Sequence, residues 1–475
     1  MMSTLQTLPK PPKGVQLGLK CPQSVLYIDL GFRGCTSSAF RRNYGINFAF
    51  DYIVYDCAEK CFNLVNSEFN RQLSPELKPE EVAQKYITVT SRNIRRLVRT
   101  AQTVSSPTRW RSFHLQKDLL EDLNMYWDAY EDHAASMYLF FGVEYFVGNC
   151  LIDELHKAGF KDEVDKGLPS FIVTSEPNWF ALEQKNLELL KSRFADVNND
   201  EVISSVATFH ANTFGIVNNP YNLGVHPTPT GSEIAVKMKQ PSAPINHDIK
   251  SLDGFPAHIA RLGELMRELA FWKGERTDTL SIADYYATPM YKALSDLLNI
   301  PKNLIYFMTR DEITRGIVGE GVVQVETLKQ RTAGYCYALI NGSTCFYQPS
   351  ETGIFVKNEC DIAKKGDLLR GMPTSPGVAQ GRVRILTLGD ANPVVAPDEI
   401  IVMSMTRQEV GSALDVALAY ATDEGGRLCH AAIVSREKKK PCVTGLGNAS
   451  KVLRSGMLIE VDGTTGTVSV IDDSF

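Results

Sequence analysis

The sequence predicts a multidomain protein in which a mainly helical N-terminal region, residues 1–365, precedes a smaller α/β domain, residues 366–475. Three observations support this prediction. The length of 475 residues exceeds that of a typical single domain. Apolar residues recur at helical spacing through much of the first region. After about residue 365, short segments rich in Val and Ile alternate with Gly-containing turns, a pattern typical of strands.

Amphipathic helices account for the first region. Segments with apolar residues on one side and charges on the other predict helices over 91–100, 115–129, 180–194, 257–273 and 282–299. Ser175 is a suitable N-cap for the third of these, with Pro177 inside its first turn. These elements together make the region mainly helical.

Two segments are predicted to connect the helices and the domains. Residues 224–247 are rich in Pro, Gly and Ser, which predicts a long loop. Residues 361–374 are interpreted as the linker to the C-terminal domain. Beyond it, strands are predicted at 383–386, 400–403, 458–461 and 467–471, joined by Gly-rich turns and two short helices.

Composition excludes several classes of protein. Apolar residues make up 44% and charged residues 22%, which excludes a disordered, collagen-like or coiled-coil chain. A net charge of −5 gives no sign of a nucleic-acid or anionic-membrane partner. The longest apolar stretch, 137–152, is interrupted by Glu144 and Asn149 and is too short to span a bilayer, so we expect a buried core helix.

The cysteines and the N-terminus predict a cytoplasmic protein. Ten cysteines are scattered without regular spacing, which favours reduced thiols and predicts no metal site. The first residues lack the charged-then-apolar layout of a secretory signal.

The stretch 422–447 carries the clearest chemical signal. Gly425 and Gly426 permit a tight turn, and His430 follows after a short spacer. The next ten residues favour a helix and contain no Gly or Pro before Pro441. His430 is therefore expected at a helix N-terminus, where free N–H groups and the helix dipole favour an anion. A histidine is largely neutral at pH 7 and can act as a nucleophile, so the arrangement fits a phosphohistidine.

An ordinary structural role fits the same residues. A histidine beside a helix is often a partly exposed structural residue, and a Gly pair alone is a turn. The run 438–440 of three lysines is interpreted as a solvated helix end that complements the helix dipole.

Residues 372–471 resemble the mobile phosphohistidine domain of the phosphoenolpyruvate-utilising enzyme family. The residues that carry this resemblance are Thr422, Gly425, Gly426, His430, Ala431, Ala432, Arg436, Glu437, Pro441 and Gly445. Ser375, Pro376, Gly377 and Gly381 match the family's entry strand, and Val461, Asp462, Gly463, Gly466, Thr467 and Val468 match its closing strands. The lysines at 438–440 depart from the family pattern and are interpreted as a surface change.

The resemblance implies a phosphotransferase component that carries a phosphoryl group on His430 and swivels on the 361–374 linker. Arg436 and backbone groups at Gly425, Gly426 and Ala431 would contact the phosphate, and Thr422 would hydrogen-bond near the imidazole. We find no nucleotide-binding motif such as GxxxxGK[ST], and the chain ends before the family's phosphoenolpyruvate-binding barrel would begin. ATP and Mg²⁺ are therefore expected on a separate ATP-grasp partner, with no cofactor bound stably by this chain.

The helical region is expected to bind a small organic acceptor, as the order of domains resembles a rifampin phosphotransferase without its ATP-binding part. Residues 261–341 resemble the family's connecting region, and 207–221 its acceptor-binding region. The acceptor needs a general base, for which His210 is the candidate, with Arg276 and Arg331 as candidate phosphate contacts.

Other functions remain open at this point. The chain fits a non-enzymatic phosphocarrier or regulatory subunit whose helical region binds a protein. The N-terminal region also allows a diverged nucleotide-binding domain. ATP and phosphoenolpyruvate both remain open as the ultimate donor.

Overall fold

The protein is described by a computed structural model. It describes residues 16–20, 25–45, 52–56, 61–65, 78–105, 115–165, 171, 179–194, 199–214, 231–239, 251–333, 335–340, 343–347, 362–386, 394–404, 411–423, 425 and 429–474.

Twelve helices of the described chain precede the C-terminal sheet. They are α1 (Val25–Gly34), α2 (Ser37–Tyr44), α3 (Pro79–Val104), α4 (Leu115–Lys157), α5 (Lys161–Asp165), α6 (Trp179–Phe194), α7 (Asp200–Phe214), α8 (Gly231–Met238), α9 (Ala257–Leu298), α10 (Lys302–Ile305), α11 (Arg310–Val318) and α12 (Val325–Ala333). The main core lies between α3, α4 and α9, where large side chains such as Trp127, Tyr86 and Tyr291 are fully buried.

Helix α9 is longer than the sequence pattern predicts. Helix α9 is one continuous helix of 42 residues, although two separate helices were predicted over this stretch. Polar residues near its centre interrupt the apolar pattern, yet Arg276, Asp278 and Thr279 are buried there. Arg276 is accommodated because its Nη1 donates to the carbonyl oxygen of Met137 at 2.5 Å. The predicted helix start at Ser175 and Pro177 lies outside the described residues.

Helix α4 contains the apolar stretch 137–152. By length and composition alone this helix could cross a membrane, but 73% of its most apolar window is buried inside the protein. Leu139, Phe140, Val143 and Val147 belong to the main core. This packing is that of a core helix, as the sequence predicts.

Two features of the first region depart from the sequence-based expectation. Helix α8 lies within the predicted loop 224–247, because Ile234 and Met238, one turn apart, are buried against α7 and supply an apolar face.

The second feature is a five-stranded antiparallel sheet with the strand order β1-β3-β2-β4-β5. Its strands are β1 (Gln16–Lys20), β2 (Tyr52–Asp56), β3 (Cys61–Val65), β4 (Cys336–Ile340) and β5 (Ser343–Tyr347). The sheet joins the beginning of the described chain to the end of the helical region.

The C-terminal region is an eight-stranded mixed sheet with three short helices in its described part. Its strands are β6 (Leu368–Arg370), β7 (Met372–Ser375), β8 (Val378–Ile385), β9 (Glu399–Met403), β10 (Ala419–Thr422), β11 (Cys442–Thr444), β12 (Leu458–Asp462) and β13 (Thr467–Asp472). Its helices are α13 (Gly411–Val416), α14 (His430–Glu437) and α15 (Ala449–Val452). Strands β8 to β11 run parallel to one another in that order. A mainly helical region followed by an α/β domain confirms the predicted fold class.

The predicted linker 361–374 is largely part of the C-terminal sheet. Strand β6 pairs with β13, and β7 pairs with β11. Ala363 is buried in the core of the sheet, and its N–H donates to the Val452 carbonyl at 2.9 Å. A Cβ at Gly463 would lie 1.8 Å from the Ser375 carbonyl oxygen, so β7 is held at a close backbone approach. From Ala363 onward the chain therefore belongs to the domain and does not serve as a hinge.

The buried His133 on α4 makes the stability of the helical region depend on pH. Its Nε2 lies 2.8 Å from the Arg276 carbonyl oxygen, and burial lowers the pKa of the imidazole to about 4. The folded protein keeps His133 neutral, whereas the unfolded chain takes up a proton near pH 6.5. This contribution to stability is fully present above about pH 6.5 and is lost as the pH falls toward 4.

We therefore expect the free energy of unfolding to fall by on the order of 3 kcal/mol between pH 7 and pH 4 from this residue. Urea unfolding followed by helical circular dichroism at several pH values measures the slope. A His133→Gln variant should show a shallower slope, and an unchanged slope would contradict the assignment.

Candidate functional site

The site forms at the carboxyl end of β10, between two parallel neighbours in the sheet. Strand β10 is buried along its whole length and pairs with β9 and β11. The chain then passes through Asp423 and Gly425 to α14, which begins at His430. Helix α14 packs on β7, β10 and β11. In open parallel sheets, ligands bind at this edge, so the fold brings His430 to the expected side.

Gly425 is required by the turn before the helix. Its φ is +113°, a region that residues with a Cβ rarely adopt. A Cβ there would also lie 2.6 Å from the Cys429 sulfur. The predicted tight turn is therefore present at Gly425, while Gly426 and the rest of the spacer lie outside the described residues.

Backbone and carboxylate bonds hold the end of β10 in place. The Thr422 carbonyl accepts from the Leu446 N–H at 3.1 Å, and the Asp423 carbonyl accepts from the Gly447 N–H at 2.9 Å. The buried Asp423 carboxylate accepts two hydrogen bonds from Ser450, one from its N–H at 2.9 Å and one from its hydroxyl. Thr422 itself is fully buried at the strand end. The turn into α14 thus starts from a fixed point.

The start of α14 has a positive electrostatic environment. Cys429 precedes the helix, and its sulfur lies against the N–H groups of Ala431 and Ala432. Burial raises the pKa of this thiol, and those N–H groups partly oppose the rise. The ammonium of Lys273, from α9, is also near enough to lower the pKa of Cys429. An anion at the start of α14 would be stabilised by the helix amides.

Arg436 lies at the other end of this helix. It follows His430 by six residues, or about 9 Å along the helix axis. Its Nη1 donates to the Thr374 carbonyl at 3.1 Å, which ties α14 to β7. This geometry favours a bracing role for Arg436, and the phosphate contact expected of it stays a prediction.

The lysines that follow α14 have a structural role. Lys440 is half-buried, and its Nζ donates to the carbonyls of Leu414, Asp415 and Ala417 at 3.2, 2.6 and 2.5 Å. These carbonyls lie at the C-terminal end of α13, so Lys440 satisfies groups that the helix leaves open. Lys438 pairs with Asp415. The run is therefore more than a solvated helix end.

Two of the residues predicted for the acceptor site lie in structural settings. His210 is buried on α7, the helix that contributes to a small core with α6 and α8. Arg331 is buried on α12, where its guanidinium donates to Glu312 at 2.7 and 2.8 Å and to the Phe307 carbonyl at 2.9 Å. Although burial opposes it, the Arg331 contact keeps the pKa of Glu312 below its ordinary value.

The structure brings Arg276 together with two other charged side chains. Lys273 Nζ contacts both carboxylate oxygens of Glu144, at 3.0 and 3.2 Å. Both Lys273 and Arg276 lie over the Phe140 ring, at 5.2 and 4.4 Å from its centroid. Glu144 was not among the predicted site residues. As the one carboxylate inside the apolar stretch 137–152, it could have been recognised as a candidate.

Comparison with known proteins identifies the C-terminal region. Residues 395–466 match the family model described as PEP-utilising enzyme, mobile domain. This region is a mobile domain of the PEP-utilising enzyme type. The match confirms the predicted resemblance, and it spans the strand, turn and helix that position His430.

Relatives of the mobile domain are found among curated enzymes. The phosphoenolpyruvate synthase of Aeropyrum pernix is 46% identical over 102 residues, which is 21% of this chain and 12% of that enzyme. A probable phosphoenolpyruvate synthase of Methanothermobacter thermautotrophicus is 37% identical over 134 residues, 28% of this chain and 20% of the relative. This chain therefore spans a fifth or less of the length of these relatives.

A third relative is matched over a longer segment. The uncharacterized phosphotransferase YvkC of Bacillus subtilis is 29% identical over 176 residues, which is 36% of this chain and 21% of the relative. That segment is longer than residues 362–475, so it reaches into the preceding helical region. Likeness to a phosphotransferase is thus not confined to the mobile domain.

Replacing Gly425 by Ala should disturb the start of α14. The added Cβ would meet the Cys429 sulfur, and the positive φ would strain the backbone. We expect a loss of about 2 kcal/mol or more in unfolding free energy, measured by chemical denaturation.

Gly447 provides the matched control for this change. It also has a positive φ, of +79°, but a Cβ there meets nothing within 4 Å. Gly447→Ala should cost about 1 kcal/mol from backbone strain alone. Equal losses in the two variants would show that the contact with Cys429 does not matter.

Proposed function

We propose that this chain is the phosphoryl-carrying component of a phosphotransferase. His430 accepts a phosphoryl group and passes it to a small organic acceptor bound by the helical region. The observation that carries the proposal is the match of residues 395–466 to the mobile domain, with His430 as the first residue of α14 behind the Gly425 turn. The longer similarity to a phosphotransferase supports an enzyme over a simple carrier.

The first step loads the histidine. A nitrogen of the neutral imidazole attacks a phosphorus of the donor, a P–N bond forms, and the P–O bond to the leaving group breaks. The charge of the resulting phosphohistidine is stabilised by the first N–H groups of α14. We propose ATP with Mg²⁺, held by a separate ATP-grasp protein, as the donor.

The second step transfers the phosphoryl group to the acceptor. The oxygen of the acceptor attacks phosphorus, the P–N bond breaks, and the hydroxyl proton passes to a general base. We propose that Glu144 is this base and that Lys273 contacts the phosphoryl oxygens. The ammonium of Lys273 is one of the charges that lower the pKa of Cys429, the residue before His430, and this supports the pairing. Glu144 is partly exposed, at 22% of its side chain, and so can meet a ligand.

Motion of the mobile domain would connect the two steps. Since residues from Ala363 onward are built into the C-terminal sheet, we propose that the mobile domain moves as one unit that includes Ala363.

Loss of His430 should abolish phosphorylation. The chain is incubated with a candidate ATP-grasp partner and with ATP labelled at both the β- and γ-phosphates, and label that is acid-labile and base-stable is counted. We expect none with His430→Ala and full labelling with His258→Ala, because His258 is an exposed histidine on α9. A parallel reaction with labelled phosphoenolpyruvate tests the other donor. Persistent label on His430→Ala would refute the phosphohistidine.

Loss of the Glu144 carboxylate should leave labelling intact but slow the discharge. Phosphorylated chain is mixed with the small-molecule fraction of a cell extract, and the remaining label is followed with time. Since general-base catalysis contributes about 10²–10⁴-fold, Glu144→Gln should discharge at least 100 times more slowly. Glu264→Gln, which removes an exposed carboxylate paired with Arg261, should discharge at the normal rate. Discharge only by the protein fraction would instead support a phosphocarrier whose helical region binds a protein.

A further inference from the structure

The helical region carries a groove lined by arginines, on a helix not used in the proposed phosphoryl transfer. The groove has a volume of about 530 Å³ and is lined by Thr88, Ser91, Arg92, Arg95, Arg96, Arg99 and Thr100. All of these residues belong to α3. The spacing of the four arginines places them on one face of the helix, over about 10 Å of its length. The chain as a whole has a net charge of −5, whereas this face of α3 carries four positive charges.

A buried polar network holds part of this face in position. The Asp132 side chain is only 6% exposed, and it pairs with Arg96 of the groove and with Arg42 of α2. Asp132 also accepts from the Asn43 amide at 2.8 Å. The Asn43 oxygen in turn accepts from Arg92 Nη2 at 3.3 Å. Arg92 and Arg96 are therefore held in position by Asn43 and Asp132, which are themselves buried and hydrogen-bonded.

The network continues into the core. The Asn93 amide donates to the Asp132 carbonyl at 2.8 Å and to the Asn43 oxygen at 3.1 Å. The Tyr44 hydroxyl bonds the Ser136 hydroxyl at 2.7 Å. Burying a carboxylate and several amides costs free energy unless every group is satisfied, and an apolar core would avoid that cost. An arrangement of this kind is typical of a site whose arginines must keep a fixed geometry.

The remaining two arginines are available to a ligand. Arg95 and Arg99 are exposed, and in the described part of the chain neither guanidinium forms an ion pair or a hydrogen bond, although the Thr103 hydroxyl donates to the Arg99 main-chain carbonyl at 2.8 Å. Asp132 is the acidic residue that compensates this face, and it already serves Arg42 and Arg96. The face thus retains uncompensated positive charge in fixed positions.

We propose that this groove binds a small molecule that carries two or more linked phosphates. Arginine presents planar pairs of donors that match phosphate oxygens, and a row of arginines can bind several linked phosphates at once. The volume lies within the range of small-molecule sites. The length of the arginine face matches a short chain of phosphates better than an extended nucleic-acid strand. The site is independent of His430 and of the proposed transfer.

The test uses inorganic tripolyphosphate as the probe and the full-length chain at 150 mM salt. Isothermal titration calorimetry should show saturable binding at one site. Binding to Arg95→Gln/Arg99→Gln should be at least tenfold weaker, since the substitutions remove two sets of charge-assisted hydrogen bonds to phosphate. Arg315→Gln, which removes an exposed arginine of α11, should bind normally. Arg95→Lys/Arg99→Lys retains the charge and should still lose severalfold in affinity, because lysine cannot bind phosphate oxygens in pairs.

Several results would overturn the proposal. These are the absence of binding at millimolar tripolyphosphate, equal binding by the double glutamine variant, or citrate binding as tightly as tripolyphosphate. Tighter binding of a single-stranded RNA would assign the face to nucleic acid instead. The His430→Ala variant should bind tripolyphosphate as tightly as the unchanged chain, which would separate this groove from the His430 site. Loss of tripolyphosphate binding by His430→Ala would contradict the assignment of the site to α3.

Discussion

The C-terminal site depends on the backbone contact between the end of β10 and the loop that follows β11. The carbonyls of Thr422 and Asp423 accept from the N–H groups of Leu446 and Gly447, and the Asp423 carboxylate secures Ser450. With that end fixed, the chain has only a few residues in which to reverse before α14. The close approach of Gly425 to Cys429 is the result, and it places His430 as the first residue of the helix. The position of His430 thus follows from sheet geometry more than from local helix propensity.

Charge is organised differently in the two regions. In the mobile domain, the positive end of α14 and the braces at Arg436 and Lys440 depend on main-chain carbonyls and amides. In the helical region, charged side chains are held by other buried side chains, as around Asp132 and between Glu144 and Lys273. Main-chain dipoles stabilise any phosphoryl group alike, whereas side-chain networks select the molecule that carries it. This division is the one expected if the mobile domain has the proposed carrier role and the helical region selects the acceptor.

The sequence predicts four of the eight strands of the C-terminal sheet, at 383–386, 400–403, 458–461 and 467–471, and the helix after His430, because each is set by residues near in sequence. The Val- and Ile-rich runs and the Gly–spacer–His pattern are local signals. It misses the five-stranded sheet, since pairing of Tyr52–Asp56 with Cys336–Ile340 leaves no trace in either segment alone. It also divides α9 in two, because the polar residues at its centre are satisfied by partners on α4. Glu144 was not predicted as a site residue for the same reason, because its contact with Lys273 on α9 cannot be seen from the sequence around it.

The antiparallel sheet that joins the two ends of the helical region has a consequence for biosynthesis. Its strands β1 to β3 emerge from the ribosome about 270 residues before β4 and β5, the partners that extend the sheet. Contacts of such high sequence separation form late and slow folding. The helices α3 and α4 can dock earlier, but β2 must wait with an unpaired edge until nearly three quarters of the chain has been made. Strand β2 therefore presents an unpaired edge, which favours aggregation, during most of the synthesis of the chain.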